Sequence, residues 1–136
     1  MKEVQVVAPE WIYSVWPKVV GFIEDSIEES TGEFSAEHLK AWLVTGQQTL
    51  LVIVENNEII GCGTVQFVNY PNDRVAFITS CGGRTIVCPE VFDQIEDWMR
   101  SMGATKTQAW AKDVQARLYK QAVKFTVPCN IVEKLL

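Results

Sequence analysis

The chain has 136 residues, of which 48% are hydrophobic and 21% charged, and its formal net charge is −5. This length suits a single domain over residues 1–136, and the acidic balance argues against binding to nucleic acid, which needs a basic surface. The sequence has no apolar run of the ~20 residues that span a bilayer and no recognisable signal peptide, so we expect a cytoplasmic protein without a membrane partner.

The four cysteines are Cys62, Cys81, Cys88 and Cys129, and they are accompanied by a single histidine, His38. Their wide and irregular spacing lacks the CxxC pairs of zinc sites, and a cytoplasmic compartment disfavours disulfides. We therefore expect reduced, mostly buried thiols and no metal site.

The first 46 residues predict one strand and two helices. Residues 2–7 favour a short strand, and apolar side chains then recur at three- and four-residue spacing over residues 10–31. Pro17 lies inside this second pattern, so we expect a kink or a helix start near it. Ser35 is a typical N-cap for a second helix, and Gly46 would follow its end.

The middle of the chain predicts an antiparallel meander of three strands. Two β-rich runs at residues 49–54 and 59–68 are joined by a turn at Asn56 and Asn57. A second turn at residues 70–73 leads to a third strand at residues 74–79. The loop SCGGRTIVCPE (80–90) then connects this strand to a third helix.

The last third of the chain predicts two helices and three strands. Pro89 fits the first position of the third helix, and Gly103 fits the position after its last residue. A strand follows at residues 105–110, and Asp113 can cap a fourth helix. Two closing strands are predicted at residues 123–127 and 130–134.

The predicted order is β-α-α-β-β-β-α-β-α-β-β. The third helix has the length of a crossover between parallel strands, whereas the meander before it is antiparallel. We therefore expect an α/β fold with a mixed, mostly antiparallel central sheet and helices on both faces.

This order resembles that of the GCN5-related N-acetyltransferase (GNAT) family over essentially the whole chain. The likeness is most specific at the hairpin run EIIG (58–61), at Gly103-Ala104 closing the third helix, and at the run ARLYK (116–120) followed by Phe125. Members of the family often have a glycine directly before this phenylalanine, where the present chain has Lys124.

A narrower likeness concerns the Trp16-Pro17 pair, the Tyr70-Pro71 pair and the Gly82-Gly83-Arg84 loop. These features look most like those of small GNAT-like proteins of phages and prophages. A phage-encoded protein would be located in the host cytoplasm or in the virion.

The resemblance implies an N-acetyltransferase that transfers an acetyl group from acetyl-CoA to an amine of a small molecule or a protein. In the family, the cofactor lies between two central strands, and its pyrophosphate is bound at the start of the third helix, where free N–H groups favour anions. The cofactor-binding residues would then be Cys81, Gly82, Gly83, Arg84 and Thr85.

Tyr119 is the candidate catalytic residue, because it matches the position of the family's proton donor. It would return a proton to the leaving thiolate. The alternative interpretation is a half-buried tyrosine that packs the last helix on the sheet. No acid or histidine within the central strands offers a general base, and His38 is expected to be a solvated surface residue.

The glycine loop departs from the family's pyrophosphate motif, in which small residues stand at the helix start. If Arg84 opened that motif, Val87 and Pro89 would occupy the small positions, and Glu90 would place a negative charge in the first turn. The loop is therefore either a divergent cofactor cradle or a structural turn. In the second case the protein would be a GNAT-fold component with a degenerate CoA site, acting through a virion protein partner or as a homo-oligomer.

Charged side chains gather in two parts of the sequence. Acids at the junction of the first two helices suit a cationic amine acceptor or form a solvated surface: Glu24, Asp25, Glu28, Glu29 and Glu33. Bases in the second half suit the 3′-phosphate of CoA or are likewise solvated: Lys106, Lys112, Arg117 and Lys120.

Overall fold

The computed structural model describes residues 1–83 and 87–136. Within these residues the chain forms five strands and four helices, with a short 3-10 turn at Pro9–Trp11 before the first helix. In chain order they are β1 (Glu3–Val7), α1 (Ile12–Glu28), α2 (Ala36–Val44), β2 (Thr49–Glu55), β3 (Glu58–Asn69), β4 (Arg74–Gly83), α3 (Pro89–Ser101), β5 (Lys106–Ala109) and α4 (Asp113–Val123).

The strands form one sheet in the order β1-β2-β3-β4-β5. Neighbouring strands are antiparallel except β4 and β5, which are parallel and are connected through α3. The predicted mixed, mostly antiparallel sheet with helices on both faces is therefore confirmed. Among residues 1–83 and 87–136, no helix is long and apolar enough to cross a membrane.

Helix α1 follows the predicted apolar spacing. Ile12, Trp16, Val19 and Ile23 are buried along one side, as the three- and four-residue spacing requires. The helix starts at Ile12 and contains Pro17 in its interior, so the proline does not mark its beginning.

Helix α2 begins where the sequence predicts. The Ser35 side chain accepts a hydrogen bond from the His38 backbone N–H, and the His38 Nδ1 accepts one from the Ser35 backbone N–H at 2.9 Å. His38 is exposed, as expected, and it also completes the cap of this helix.

The sheet separates two apolar cores. On β2, Leu51 and Ile53 pack toward α3 and α4, whereas Leu50 and Val52 pack toward α1 and α2. Alternate residues of a strand point to opposite faces, so a strand covered on both sides reads as a continuous apolar run. The Asn56-Asn57 turn after β2 has positive φ at both residues, which confirms the predicted hairpin.

The two closing strands predicted near the C-terminus are not formed. Residues 123–127 do not extend the sheet, because Val123 is the last residue of α4 and Lys124 ends the helix in the left-handed conformation, with φ of 62°. Its successor Phe125 donates its backbone N–H to the Tyr119 carbonyl. Residues 130–134 lie outside any strand, with Ile131 and Val132 exposed, so β5 is the sheet edge within the described part of the chain.

The glycine pair after Cys81 belongs to β4, which continues to Gly83 and so takes in the first residues of the predicted loop. A Cβ atom on Gly82 would overlap the backbone carbonyl oxygen of Phe22 in α1. A Cβ atom on Gly83, whose φ is 119°, would lie 2.5 Å from the carbonyl oxygen of Ile60 in β3. Both glycines are therefore required by backbone packing.

Replacing Gly82 with alanine should destabilise the fold by about 1–3 kcal/mol, because the new methyl group meets backbone atoms that cannot rotate away. The matched control is Gly21→Ala in α1, where a Cβ meets nothing within 4 Å. Alanine should stabilise that helix position by about 0.5–1 kcal/mol. Urea unfolding of the two variants measures the difference, and a Gly82→Ala protein as stable as wild type would contradict the packing.

Candidate functional site

The site lies where β4 and β5 separate. Their parallel pairing extends from Val75 opposite Lys106 to Ile78 opposite Ala109, and there β5 ends. Strand β4 continues five residues further, to Gly83, without a strand neighbour on that side in the described part of the chain. We call the place beyond Ile78, where this side of β4 has no strand partner among the described residues, the opening between β4 and β5.

A bulge in β4 begins at the same point. Thr64 of β3 pairs with Ser80, and the next residue, Val65, pairs with Ile78, so Thr79 is the extra residue. A bulge of this kind bends the strand and redirects the residues that follow it. The bulge and the end of the β4–β5 pairing thus coincide.

Hydroxyl groups gather behind the bulge, on the face toward α1 and α2. Thr64 Oγ1 lies 2.6 Å from both Thr79 Oγ1 and Ser80 Oγ. The Thr79 hydroxyl also donates to Oε1 of Gln48 at 2.6 Å. Three of these four side chains, Gln48, Thr64 and Ser80, are buried. Sequence reasoning missed this cluster, since Thr and Ser within a β-rich run look like ordinary strand residues.

Tyr119 belongs to α4 and points to the opposite face of the sheet, into the core that α3 and α4 form with the strands. It is 8% exposed, and its ring packs against Phe92 and Phe125 at centroid distances of 5.8 and 5.0 Å. Tyr119 thus packs α4 on the sheet, and its hydroxyl has a polar neighbour. The hydroxyl lies near the thiol of Cys81, the residue two positions after the bulge, which packs against the same core cluster.

Burial controls the protonation of this pair. Loss of solvent, together with the neighbouring Cys81 thiol, raises the pKa of Tyr119 well above its usual range. Burial also raises the pKa of Cys81 to about 11, although the neighbouring Tyr119 hydroxyl opposes that change. Both groups therefore carry their protons at neutral pH, and neither is a base there.

Helices α1 and α4 meet the end of β4 from opposite faces. The backbone N–H of Cys81 donates to Ser26 Oγ of α1 at 3.0 Å. One turn before Tyr119 on α4, Gln115 donates its Nε2 to the Glu29 carboxylate at 3.3 Å. Glu29 follows Ser26 by three residues, so both contacts join the same end of α1 to the site.

The start of α3 is less suited to an anion than a glycine-rich helix start. Pro89, its first residue, has no N–H to donate, and no side chain caps the helix at Cys88. The Glu90 carboxylate accepts the backbone N–H of Lys2 at 3.0 Å, and the Gln94 amide also bonds the β1 backbone. This first turn is therefore tied to β1.

The predicted site residues fall into four groups. The structure brings Cys81 and Tyr119 together, and it places Gly82 and Gly83 at the end of β4 in contact with α1 and β3. Arg84 and Thr85 lie outside the described residues. The predicted acids at the end of α1 are all exposed, and Glu29 among them reaches α4.

Solved structures with this architecture include several acetyltransferases. An aminoglycoside acetyltransferase from an uncultured soil metagenomic sample, in complex with trehalose, superposes with a TM-score of 0.72 at 15% identity over 99% of this chain and 95% of that one. The chain has the GNAT acetyltransferase fold. No protein-family model and no curated protein matches its sequence.

Two further GNAT-fold structures are similar over their whole length. A predicted acetyltransferase from Clostridium acetobutylicum, with acetyl-CoA, has a TM-score of 0.68 at 15% identity, covering 99% of this chain and 96% of that one. A ribosomal-protein-alanine N-acetyltransferase from Brucella melitensis biovar Abortus 2308 has a TM-score of 0.66 at 9% identity, covering 100% and 98%. At these identities the likeness concerns the fold.

Tyr119 should make the stability of the protein fall at high pH. Its pKa in the folded protein is raised above the ordinary value of 10.0, so stability from this group is complete below pH 10 and declines as pH rises further. The decline is at most about 1.4 kcal/mol per pH unit. The difference in unfolding free energy between wild type and Tyr119→Phe, measured in urea from pH 8 to pH 11.5, should shrink above pH 10. Parallel pH curves for the two proteins would show that Tyr119 is not shielded.

Proposed function

We propose that the protein is an acyl-CoA-dependent N-acetyltransferase that transfers an acetyl group to an amine. The observation that carries this proposal is the position of Tyr119. Its protonated hydroxyl lies at the end of β4, next to the opening between β4 and β5, in a chain with the GNAT fold.

The opening fits the thioester end of acetyl-CoA. Beyond Ile78, the side of β4 that faces β5 has no strand partner in the described residues, so its backbone can bond an acyl carbonyl. The start of α3 fits the pyrophosphate less well, because of Pro89 and Glu90. The cofactor-binding residues proposed from the sequence are Cys81, Gly82, Gly83, Arg84 and Thr85, and the charge of Arg84 suits a pyrophosphate.

The chemistry of this chain's residues follows from their protonation. Acetyl-CoA would supply the activated acetyl group. A protonated amine would first lose one proton to solvent. The neutral nitrogen would then replace sulfur on the acetyl carbonyl carbon, and the Tyr119 hydroxyl would donate its proton to that sulfur. Tyr119 carries this proton at neutral pH, since even the ordinary pKa of a tyrosine lies well above 7 and burial raises it further. The nitrogen would lose its second proton to solvent, and solvent would reprotonate the tyrosine.

The acids at the end of α1 favour a cationic acceptor. Glu24, Asp25, Glu28, Glu29 and Glu33 are exposed around the end of the helix that contacts Cys81 through Ser26. Their negative potential would raise the local concentration of a protonated amine. We propose that the acceptor is an amine of a small molecule or of a protein, and that the enzyme acts on it in the cytoplasm.

A second candidate function is a binding role with a degenerate CoA site. It is favoured by the use of Gly82 and Gly83 for backbone packing, and by the engagement of Glu90 with β1. The exposed apolar side chains of the C-terminal segment also suit a protein interface, in a homo-oligomer or with a virion protein of a phage: Val127, Ile131, Val132, Leu135 and Leu136.

Acetyl-CoA should bind the protein and stabilise it by about 2.7 kcal/mol at a concentration one hundredfold above its dissociation constant. Tyr119→Phe should bind acetyl-CoA normally but lower kcat by about 100-fold or more, since only the proton donor is lost. Calorimetry measures binding, and release of free thiol with a panel of primary amines, an aminoglycoside among them, measures turnover.

The matched control is Tyr70→Phe, because Tyr70 is 57% exposed and lies in the turn before β4. It should leave binding and turnover unchanged. Wild-type protein that neither binds nor is stabilised by millimolar acetyl-CoA would rule out the enzyme. If the same preparation also sediments as a stable oligomer, the binding role becomes the better account.

A further inference from the structure

We propose that Gln48, Thr64, Thr79 and Ser80 act as positioning residues for the acyl group of the donor. They hold the β4 bulge in the shape that aims the free backbone edge of β4 at the thioester carbonyl. This role rests on the proposed acetyltransferase function. We assign it to residues that hydrogen-bond to one another and would not touch the reacting atoms.

The cluster is unusual for its composition and place. Among residues 1–83 and 87–136, the buried polar side chains are Gln48, Thr64 and Ser80, and all three belong to it. Thr79, the bulged residue itself, joins them with bonds of 2.6 Å to Thr64 Oγ1 and to Gln48 Oε1. The buried polar side chains of the described residues are thus all found at the β4 bulge.

The hydrogen bonds of the cluster form one connected chain. The Thr79 hydroxyl donates to Gln48 Oε1 at 2.6 Å and also lies 3.2 Å from the Thr64 carbonyl oxygen. The Thr64 hydroxyl lies 2.6 Å from the hydroxyls of both Thr79 and Ser80. A connected buried network of this kind specifies one geometry more strongly than apolar packing does.

The cluster fixes the backbone of the β4 residues that lie at the opening. Thr79 and Ser80 are the first residues of β4 beyond its pairing with β5, and Cys81, the contact of Tyr119, comes next. The hydroxyl chain braces one face of this segment, while Tyr119 lies on the other. A small shift of the bulge would therefore move the backbone that meets the acyl carbonyl, and misplacement by about 1 Å is costly to catalysis.

Thr64→Val tests the proposal, because valine keeps the shape of threonine and removes the central hydroxyl. Binding of acetyl-CoA should weaken about tenfold, as expected for one lost hydrogen-bonded arrangement. Binding of CoA, which lacks the acetyl group, should change less than about threefold by the same arithmetic. Thr64→Ser keeps the hydroxyl and should restore acetyl-CoA binding.

The matched control is Thr107→Val in β5. Thr107 Oγ1 donates to the Ala76 carbonyl at 2.9 Å. This hydroxyl joins β5 to β4 in the part of the sheet where the two strands are still paired. This variant should bind both ligands as wild type does. If Thr64→Val does not fold, Thr79→Val carries the test, since Thr79 is only partly buried and its hydroxyl is also essential to the chain.

The outcomes separate the two proposals. Equal weakening of CoA and acetyl-CoA, or no weakening of either, would overturn the positioning role while leaving the acetyltransferase intact. Wild-type protein that binds neither ligand would instead overturn the proposed function, and the role of the cluster with it. A selective loss for acetyl-CoA with rescue by serine supports both.

Discussion

The rest of the site depends on how closely the end of β4 approaches α1. At Gly82 the strand backbone touches the carbonyl of Phe22, a contact that any side chain would prevent. The neighbouring Cys81 N–H reaches Ser26 in the same helix. The part of β4 that contacts α1 is also the part that lies beyond the pairing with β5. The opening at that place is the feature on which any acetyltransferase activity would depend.

The two sides of that opening have different physical character. Tyr119 lies in an apolar core, and exclusion of water keeps its hydroxyl protonated. The face toward α1 and α2 carries a closed chain of neutral hydroxyls, and the charged residues stay outside, on the rim formed by the end of α1. A protonated tyrosine, the end of β4 and an acidic helix end therefore lie near one another, and none of the buried side chains named here is charged.

The start of α3 is the feature that least favours cofactor binding. The resemblance in element order implies a pyrophosphate site at this position, yet Pro89 has no N–H to donate and the Glu90 carboxylate accepts the backbone N–H of Lys2. The glycines that looked like part of a phosphate cradle are explained by their contacts with Phe22 and Ile60. Glycine in a loop sequence indicates a close backbone approach, but the approaching group can be the protein itself.

Local patterns in the sequence determined most of the fold. The apolar spacing of α1, the Ser35 cap of α2, the Asn56-Asn57 hairpin and the Pro89 start of α3 all depend on near neighbours, and each was predicted. The NIVEK run (130–134) shows where local patterns fail. Its residues favour a strand, but in this structure they pair with no other strand. Tyr119 was identified as a candidate through its motif, and the sequence by itself could go no further.

Contacts between distant segments decided the rest of the site. Cys81 meets Ser26 and Tyr119, which lie 55 residues before it and 38 after it in the chain. Gln48 meets Thr79 across 31 residues, at the bulge of β4. The sequence therefore determined which elements form, whereas tertiary packing decided where the strands separate and which groups meet there, because those contacts join residues that no local pattern relates.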